Sequence, residues 1–175
     1  MMASLKGRKI GFVGLGLMGM PMCKNLISAG ADVIATTRSP GPVKEIADAG
    51  ARTLTTPSAV AEEADITVVM VADTVAVEAV LMGENGLLKG VGPNSLVIDM
   101  GTTAVTATRG FAIRFDEAGA AYVDAPVSGG TMGAEGGSLT IMAGGEAQAI
   151  ERARPVLEVL GSRLTHVGPV GTGQV

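Results

Sequence analysis

Lys9-Ile10-Gly11-Phe12-Val13-Gly14-Leu15-Gly16-Leu17-Met18-Gly19 decides the fold of this 175-residue chain. Apolar Ile10, Phe12 and Val13 form a short strand pattern, and Gly14, Gly16 and Gly19 then spell G-x-G-x-x-G with a helix opening inside it. In a dinucleotide-binding turn each glycine has its own task. Gly14 permits the tight turn, Gly16 lets backbone approach a pyrophosphate, and Gly19 lets helix and strand pack closely. Phosphate would lie on the free N–H groups at the helix start, where the dipole favours negative charge. The flanks agree. Met18, Met22, Leu26 and Ala29 fall on one helix face, Gly30 ends that helix, and a second strand runs over 32–36. Together they make a βαβ unit of about thirty residues.

Outward from this unit, strands and helices alternate with short connections. That pattern predicts a Rossmann-type α/β fold: one domain over 1–175, with a doubly wound, mostly parallel sheet covered on both faces. Arg38-Ser39-Pro40-Gly41 reads as a turn, followed by a helix from Pro42 with Val43, Ile46 and Ala47 on its face and Gly50 as its stop. Further strands are expected over 52–54, 65–71, 95–100, 121–124, 139–142 and 164–167, and helices from Pro57 and over 74–82, 103–118 and 147–160. Phe111 and Phe115 share the face of the 103–118 helix, which Gly119 closes, and Pro155 should kink or divide the 147–160 helix. The glycine-rich tail from Gly168 onward shows no element.

Composition excludes several classes. Thirteen basic and 17 acidic residues give a net charge of −4 with no basic block, so no nucleic-acid partner is expected. No apolar run reaches spanning length, so no membrane partner is expected, and residues 1–8 lack a signal-peptide core. The single Cys23 cannot pair internally and fits a reducing, cytoplasmic setting. No Cys/His/Asp group has metal-ligand spacing. Hydrophobic residues make up 47% and charged residues 17%, a high ratio for a lone domain.

Ligands of open α/β sheets bind beyond the carboxyl ends of the strands. After the second strand stands Thr37-Arg38-Ser39, where an NAD site would carry an acid for the ribose 2′-hydroxyl. An arginine there suits a 2′-phosphate, so NADP is the expected cofactor with NAD as the alternative; a solvated arginine before a turn is the plain reading. Ser128 with Gly129 and Gly130 reads equally as an anion-holding loop or as a simple glycine turn. Asp99 and Asp124 end strands, where aspartates act as bases or cap turns, and His166 reads as a surface or packing residue.

The stretch from Gly14 to Met22, with Asn25-Leu26 and Ala29-Gly30, resembles the N-terminal signature of the β-hydroxyacid dehydrogenases. That family includes 3-hydroxyisobutyrate dehydrogenase, tartronate semialdehyde reductase and 6-phosphogluconate dehydrogenase. Three further blocks resemble it in order: Ile98-Asp99-Met100 with Thr102, Asp124-Ala125-Pro126-Val127-Ser128-Gly129-Gly130, and His166-Val167-Gly168-Pro169 with Gly171 and Gly173-Gln174. The resemblance implies that Gly14, Leu15, Gly16, Leu17, Met18 and Gly19 hold the cofactor's pyrophosphate. It places Thr37, Arg38 and Ser39 at the adenosine end and Val71, Ala72 and Thr102 at the nicotinamide half. Ser128, Gly129 and Gly130 would take the carboxylate of a small β-hydroxyacid or semialdehyde. Ala72 and Gly101 depart from the family's usual proline and serine. The family's catalytic lysine follows the glycine-glutamine pair and opens an all-helical domain that covers part of this one and completes a homodimer or homotetramer. The chain ends at Val175, so no catalytic residue is expected within it. The resemblance thus implies the cofactor-binding half of an NADP-dependent β-hydroxyacid reductase. A stand-alone dinucleotide-binding module and a fragment of an imine reductase are the alternatives.

Overall fold

In the computed structural model, residues 4–175 are described; the first three residues of the 1–8 stretch read above lie outside the described residues. The N-terminal unit forms as expected, with β1 (Lys9–Val13), α1 (Gly19–Ser28) and β2 (Asp32–Thr36). There follow α2 (Pro40–Asp48), β3 (Arg52–Thr53), α3 (Pro57–Glu63), β4 (Ile66–Val69), α4 (Thr74–Met82) and β5 (Leu96–Asp99). The chain continues through α5 (Val105–Glu117), β6 (Ala121–Asp124), β7 (Val127–Ser128), α6 (Gly130–Gly136), β8 (Leu139–Gly144), α7 (Ala147–Leu160) and β9 (Gly161–Gly168).

Strands β3-β2-β1-β4-β5-β6 lie in that order and are parallel; β8 joins β6 antiparallel, β7 pairs β8 on the same edge, and β9 runs parallel along the opposite edge of β8 from Leu139 to Gly144. Successive side chains of a strand point to opposite faces, and both faces are buried across β2, β1, β4, β5 and β6, whereas β9 at the edge is largely exposed. Ile10, Phe12, Val68 and Ile98 therefore pack with α1, α6 and α7 on one side. Val13, Val69, Val97 and Tyr122 pack with α4 and α5 on the other, where Phe115 and Tyr122 stack at 5.6 Å between ring centroids. The glycines read as stops, Gly30, Gly50 and Gly119, each stand two residues beyond the last helical residue with φ of +97°, +118° and +81°.

Five expectations need correction. Helix α2 starts at Pro40, not Pro42, because Ser39 is extended and Pro40 supplies a φ suited to a first turn; only Ile46 of its expected face is buried, and Ala47 is exposed. Strand β7 and helix α6 stand where the sequence reads as a loop or glycine turn at Ser128–Gly130 and shows no element after it. Glycines at 130, 133 and 136 argue against helix, but packing overrides propensity: Ala134 is fully buried, and Asn25 of α1 donates its Nδ2–H to Ala134 O at 2.8 Å. Strand β9 is eight residues long rather than four. Helix α7 is continuous through Pro155 rather than divided. The tail, finally, turns back onto the strand ends, forming a short 3-10 turn over Thr172–Gln174.

Candidate functional site

In a sheet of this order the connection from β1 leaves one way and that into β4 the other, so a crevice opens between their carboxyl ends. A cleft of about 1010 Å³ lies there. Its floor is the turn from β1 into α1, and every residue assigned above to the cofactor lines it, from Gly14 through Arg38 to Val71 and Thr102.

The three glycines of the turn are separated by their surroundings. Gly14 has φ +104°, and a Cβ on it would stand 2.2 Å from Met70 O of the neighbouring chain segment. A Cβ on Gly19 would stand 2.0 Å from Gly14 O. Both positions are glycine because the protein itself leaves no room. Gly16 is different: a Cβ there meets nothing within 4 Å and would project into open space at the cleft. The protein's own packing gives no reason for glycine at 16, whereas a ligand lying on the backbone does. The N–H groups of Leu15, Gly16, Leu17 and Met18 find no acceptor among the described residues, leaving a run of donors at the start of α1. The residues present thus fit a dinucleotide pyrophosphate.

Arg38 is exposed at the end of β2, and among the described residues it makes no ion pair. At the other end of the cleft Thr102 is exposed above β5, with three inter-strand steps between β2 and β5. At about 4.8 Å per step this is roughly 14 Å. The cleft is also lined by Thr55, Pro57, Glu84 and Asn85, which the sequence reading passed over. Nothing in the sequence around these four residues indicates which way they face.

Ser128, Gly129 and Gly130 are exposed and stand apart from this cleft, at the start of α6. Gly129 and Gly130 have φ of +137° and +60°. His166 sits on outer strand β9, its Nε2 donating to Gly145 O at 2.8 Å and Gly168 O at 3.0 Å, a structural use of the ring. Cys23 is buried in α1, which pushes its thiol up to about 12 and leaves it unreactive. Among the described residues no group of His, Cys, Asp and Glu could hold a metal ion, and no helix is long and apolar enough to cross a membrane.

Two carboxylates lie buried at the ends of β5 and β6. Asp99 accepts from Gly101 N–H at 2.9 Å and from the Thr103 hydroxyl at 2.6 Å, so it caps the loop that carries Thr102. Burial pushes it up to about 6, against the pull of those donors and with added repulsion from Asp124. Asp124 accepts Gly171 N–H at 2.8 Å through Oδ1, while Oδ2 finds no hydrogen-bond partner among the described residues. It too is raised, chiefly by burial.

A profile of the NAD binding domain of 6-phosphogluconate dehydrogenase matches residues 9–168. The chain belongs to that family. As the sequence reading expected, it is similar to enzymes of the β-hydroxyacid dehydrogenases. It is 45% identical to 2-hydroxy-3-oxopropionate reductase of Escherichia coli strain K12, with 95% of this chain and 56% of that protein covered. It is 40% identical to mitochondrial 3-hydroxyisobutyrate dehydrogenase of Mus musculus, covering 94% of this chain and 49% of that one. The structure of Mycobacterium tuberculosis 3-hydroxyisobutyrate dehydrogenase with L-serine superposes with a TM-score of 0.90 at 34% identity, covering 99% of this chain and 57% of that one. The chain therefore spans about half the length of the relatives it matches, and it is a nicotinamide-dinucleotide-binding domain of Rossmann type.

Two outcomes follow from this geometry. Gly16→Val should leave the urea midpoint nearly unchanged and abolish dinucleotide binding in a titration, whereas Gly19→Ala should lower stability by about 1–3 kcal/mol through overpacking. Retained affinity in Gly16→Val would make the glycine merely tolerated. The second outcome concerns Asp99. Between its ordinary value of 3.8 and about 6 the folded chain holds a proton that the unfolded chain has lost. Its contribution is therefore present below that window and lost as pH rises through it. Relative to Asp99→Asn, the wild type should lose roughly 2 kcal/mol of unfolding free energy between about pH 4 and pH 7. A pH-independent difference between the two proteins would contradict the assignment.

Proposed function

We propose that this domain holds NADP(H) for a reductase that interconverts a small β-hydroxyacid and its semialdehyde. The observation that carries the reading is the cleft at the β1/β4 switch point, with open Gly16 on its floor and exposed Arg38 at its rim. When bound, the dinucleotide would supply the hydride. The chain's own part is to bind and orient. The free N–H groups at the start of α1 would hold the pyrophosphate, Arg38 would hold the adenosine 2′-phosphate, and Val71, Ala72 and Thr102 would border the nicotinamide half. The hydroxyl of Ser128 and the backbone of Gly129 and Gly130 would receive the substrate's carboxylate. Similarity to the Escherichia coli reductase and the mouse dehydrogenase supports the substrate class. The unpaired, buried Cys23 is in keeping with a cytoplasmic setting.

NADP over NAD rests on Arg38 and on the absence of an acid at the end of β2. One charge-assisted hydrogen bond is worth about 1.5–3 kcal/mol, so NADPH should bind about ten- to a hundredfold more tightly than NADH. Arg38→Asp should reverse the order. Equal affinities of the two cofactors for the wild type would refute the NADP assignment.

We also propose that the proton donor for the semialdehyde is not among residues 1–175. Among the described residues no lysine lines the cleft: Lys24 pairs with Glu45, Lys44 pairs with Asp48, and Lys89 donates to Glu84 O. General acid help is worth about 10²–10⁴-fold, and an open site holds substrate loosely. The 175-residue chain should therefore bind NADPH saturably yet oxidise none in the presence of small semialdehydes, as followed by absorbance. Robust turnover would mean that a donor within the chain had been overlooked.

A further inference from the structure

We infer that Gln174 is a positioning residue for the nicotinamide end of the cleft, acting through the loop that carries Thr102. The inference rests on the NADP(H) reading above and deepens it. The side-chain amide of Gln174 bridges the two backbone groups on either side of Thr102. Its Oε1 accepts Thr103 N–H at 3.0 Å, and its Nε2–H donates to Gly101 O at 2.9 Å. A primary amide bonded in this way imitates a neighbouring strand, supplying one acceptor and one donor to consecutive peptide groups. The residue between the two rungs, Thr102, is left exposed on the cleft wall while Gly101 and Thr103 are buried.

The reach of Gln174 is itself held in place. Gly171 donates its N–H to buried Asp124 at 2.8 Å, and the Thr172 hydroxyl donates to Pro169 O at 2.6 Å. A Cβ on Gly173 would stand 2.4 Å from Met142 O and 2.8 Å from Asp124 Oδ2, so the backbone passes the carboxylate at a distance that only glycine allows. The tail is thus seated beside the end of β6, and the next side chain crosses to the loop after β5. From its other side the same loop is capped by Asp99, through Gly101 N–H and the Thr103 hydroxyl. Gly101 and Thr103 are each gripped twice, from below by a carboxylate and from the tail by an amide. Arg38 is at the opposite end of the cleft, so loosening Thr102 should be felt by the nicotinamide half and not by the adenosine half.

The test compares two ligands on the 175-residue chain by calorimetric titration: NADPH, and adenosine 2′,5′-bisphosphate, which carries only the adenosine end. Gln174→Ala should weaken NADPH about tenfold, the order of one hydrogen bond's worth of positioning, and leave adenosine 2′,5′-bisphosphate unchanged. Gln174→Glu should behave likewise, because it keeps the acceptor for Thr103 N–H but turns an oxygen toward Gly101 O. Equal effects on both ligands in Gln174→Glu, or wild-type NADPH affinity in either variant, would overturn the proposal while leaving the cofactor reading intact. Failure of the wild type to bind either ligand would overturn that reading, and this proposal with it.

Discussion

The close approach of α1 to the turn that precedes it is the constraint on which the site depends. Gly19 meets Gly14 O, and Gly14 meets Met70 O, at distances where any side chain would collide with backbone. Interiors pack to crystal-like density, so such contacts fix position to within tenths of an ångström. The result is that the first turn of α1 is pressed against the ends of both β1 and β4, and its unpaired N–H groups emerge at the one place where the sheet's connections diverge. Gly16, free of these contacts, is left as the exposed backbone between them. Fold and cleft floor are thus one arrangement, since the glycines that close the βαβ unit also aim its donors.

This economy explains why so much was legible beforehand. Strands buried on both faces must be apolar throughout, and the runs around Phe12, Val68 and Ile98 show it without ambiguity. Helices such as α4 and α5 must present one apolar face, and glycines must stand where they stop. The order of strands then places their carboxyl ends, and with them Arg38, Val71 and Thr102, around one crevice. Local rules suffice where each local preference agrees with the global fold.

They fail where tertiary contact outweighs local preference. Helix α6 carries three glycines in seven residues and exists because Ala134 is buried and Asn25 of α1 reaches two of its carbonyls. The start of α2 was misplaced for a smaller reason: Pro40 and Pro42 both suit a first turn, and the extended backbone of Ser39 decides between them. The tail failed most completely. Its glycines read as absence of structure, whereas they are the condition for passing close to Asp124. A composition that permits flexibility and one that permits close packing are the same composition, and only the partner tells them apart.

That partner shows how a buried acid can be kept at a loss. Asp99 and Asp124 end adjacent strands, each buried and each raised by burial, and the charge of one disfavours the charge of the other. A pair of apolar residues would hold the sheet more cheaply, since desolvating a charge costs several kcal/mol. An apolar pair, however, could not hold the loops. Gly101 N–H, the Thr103 hydroxyl and Gly171 N–H belong to segments with no ladder of their own, and each needs an acceptor fixed at the sheet's end. A carboxylate on a central strand is rigid, short and doubly accepting, so it converts the order of the sheet into the order of the loops above it. Stability is given up at the strand ends, and position is gained at the cleft wall.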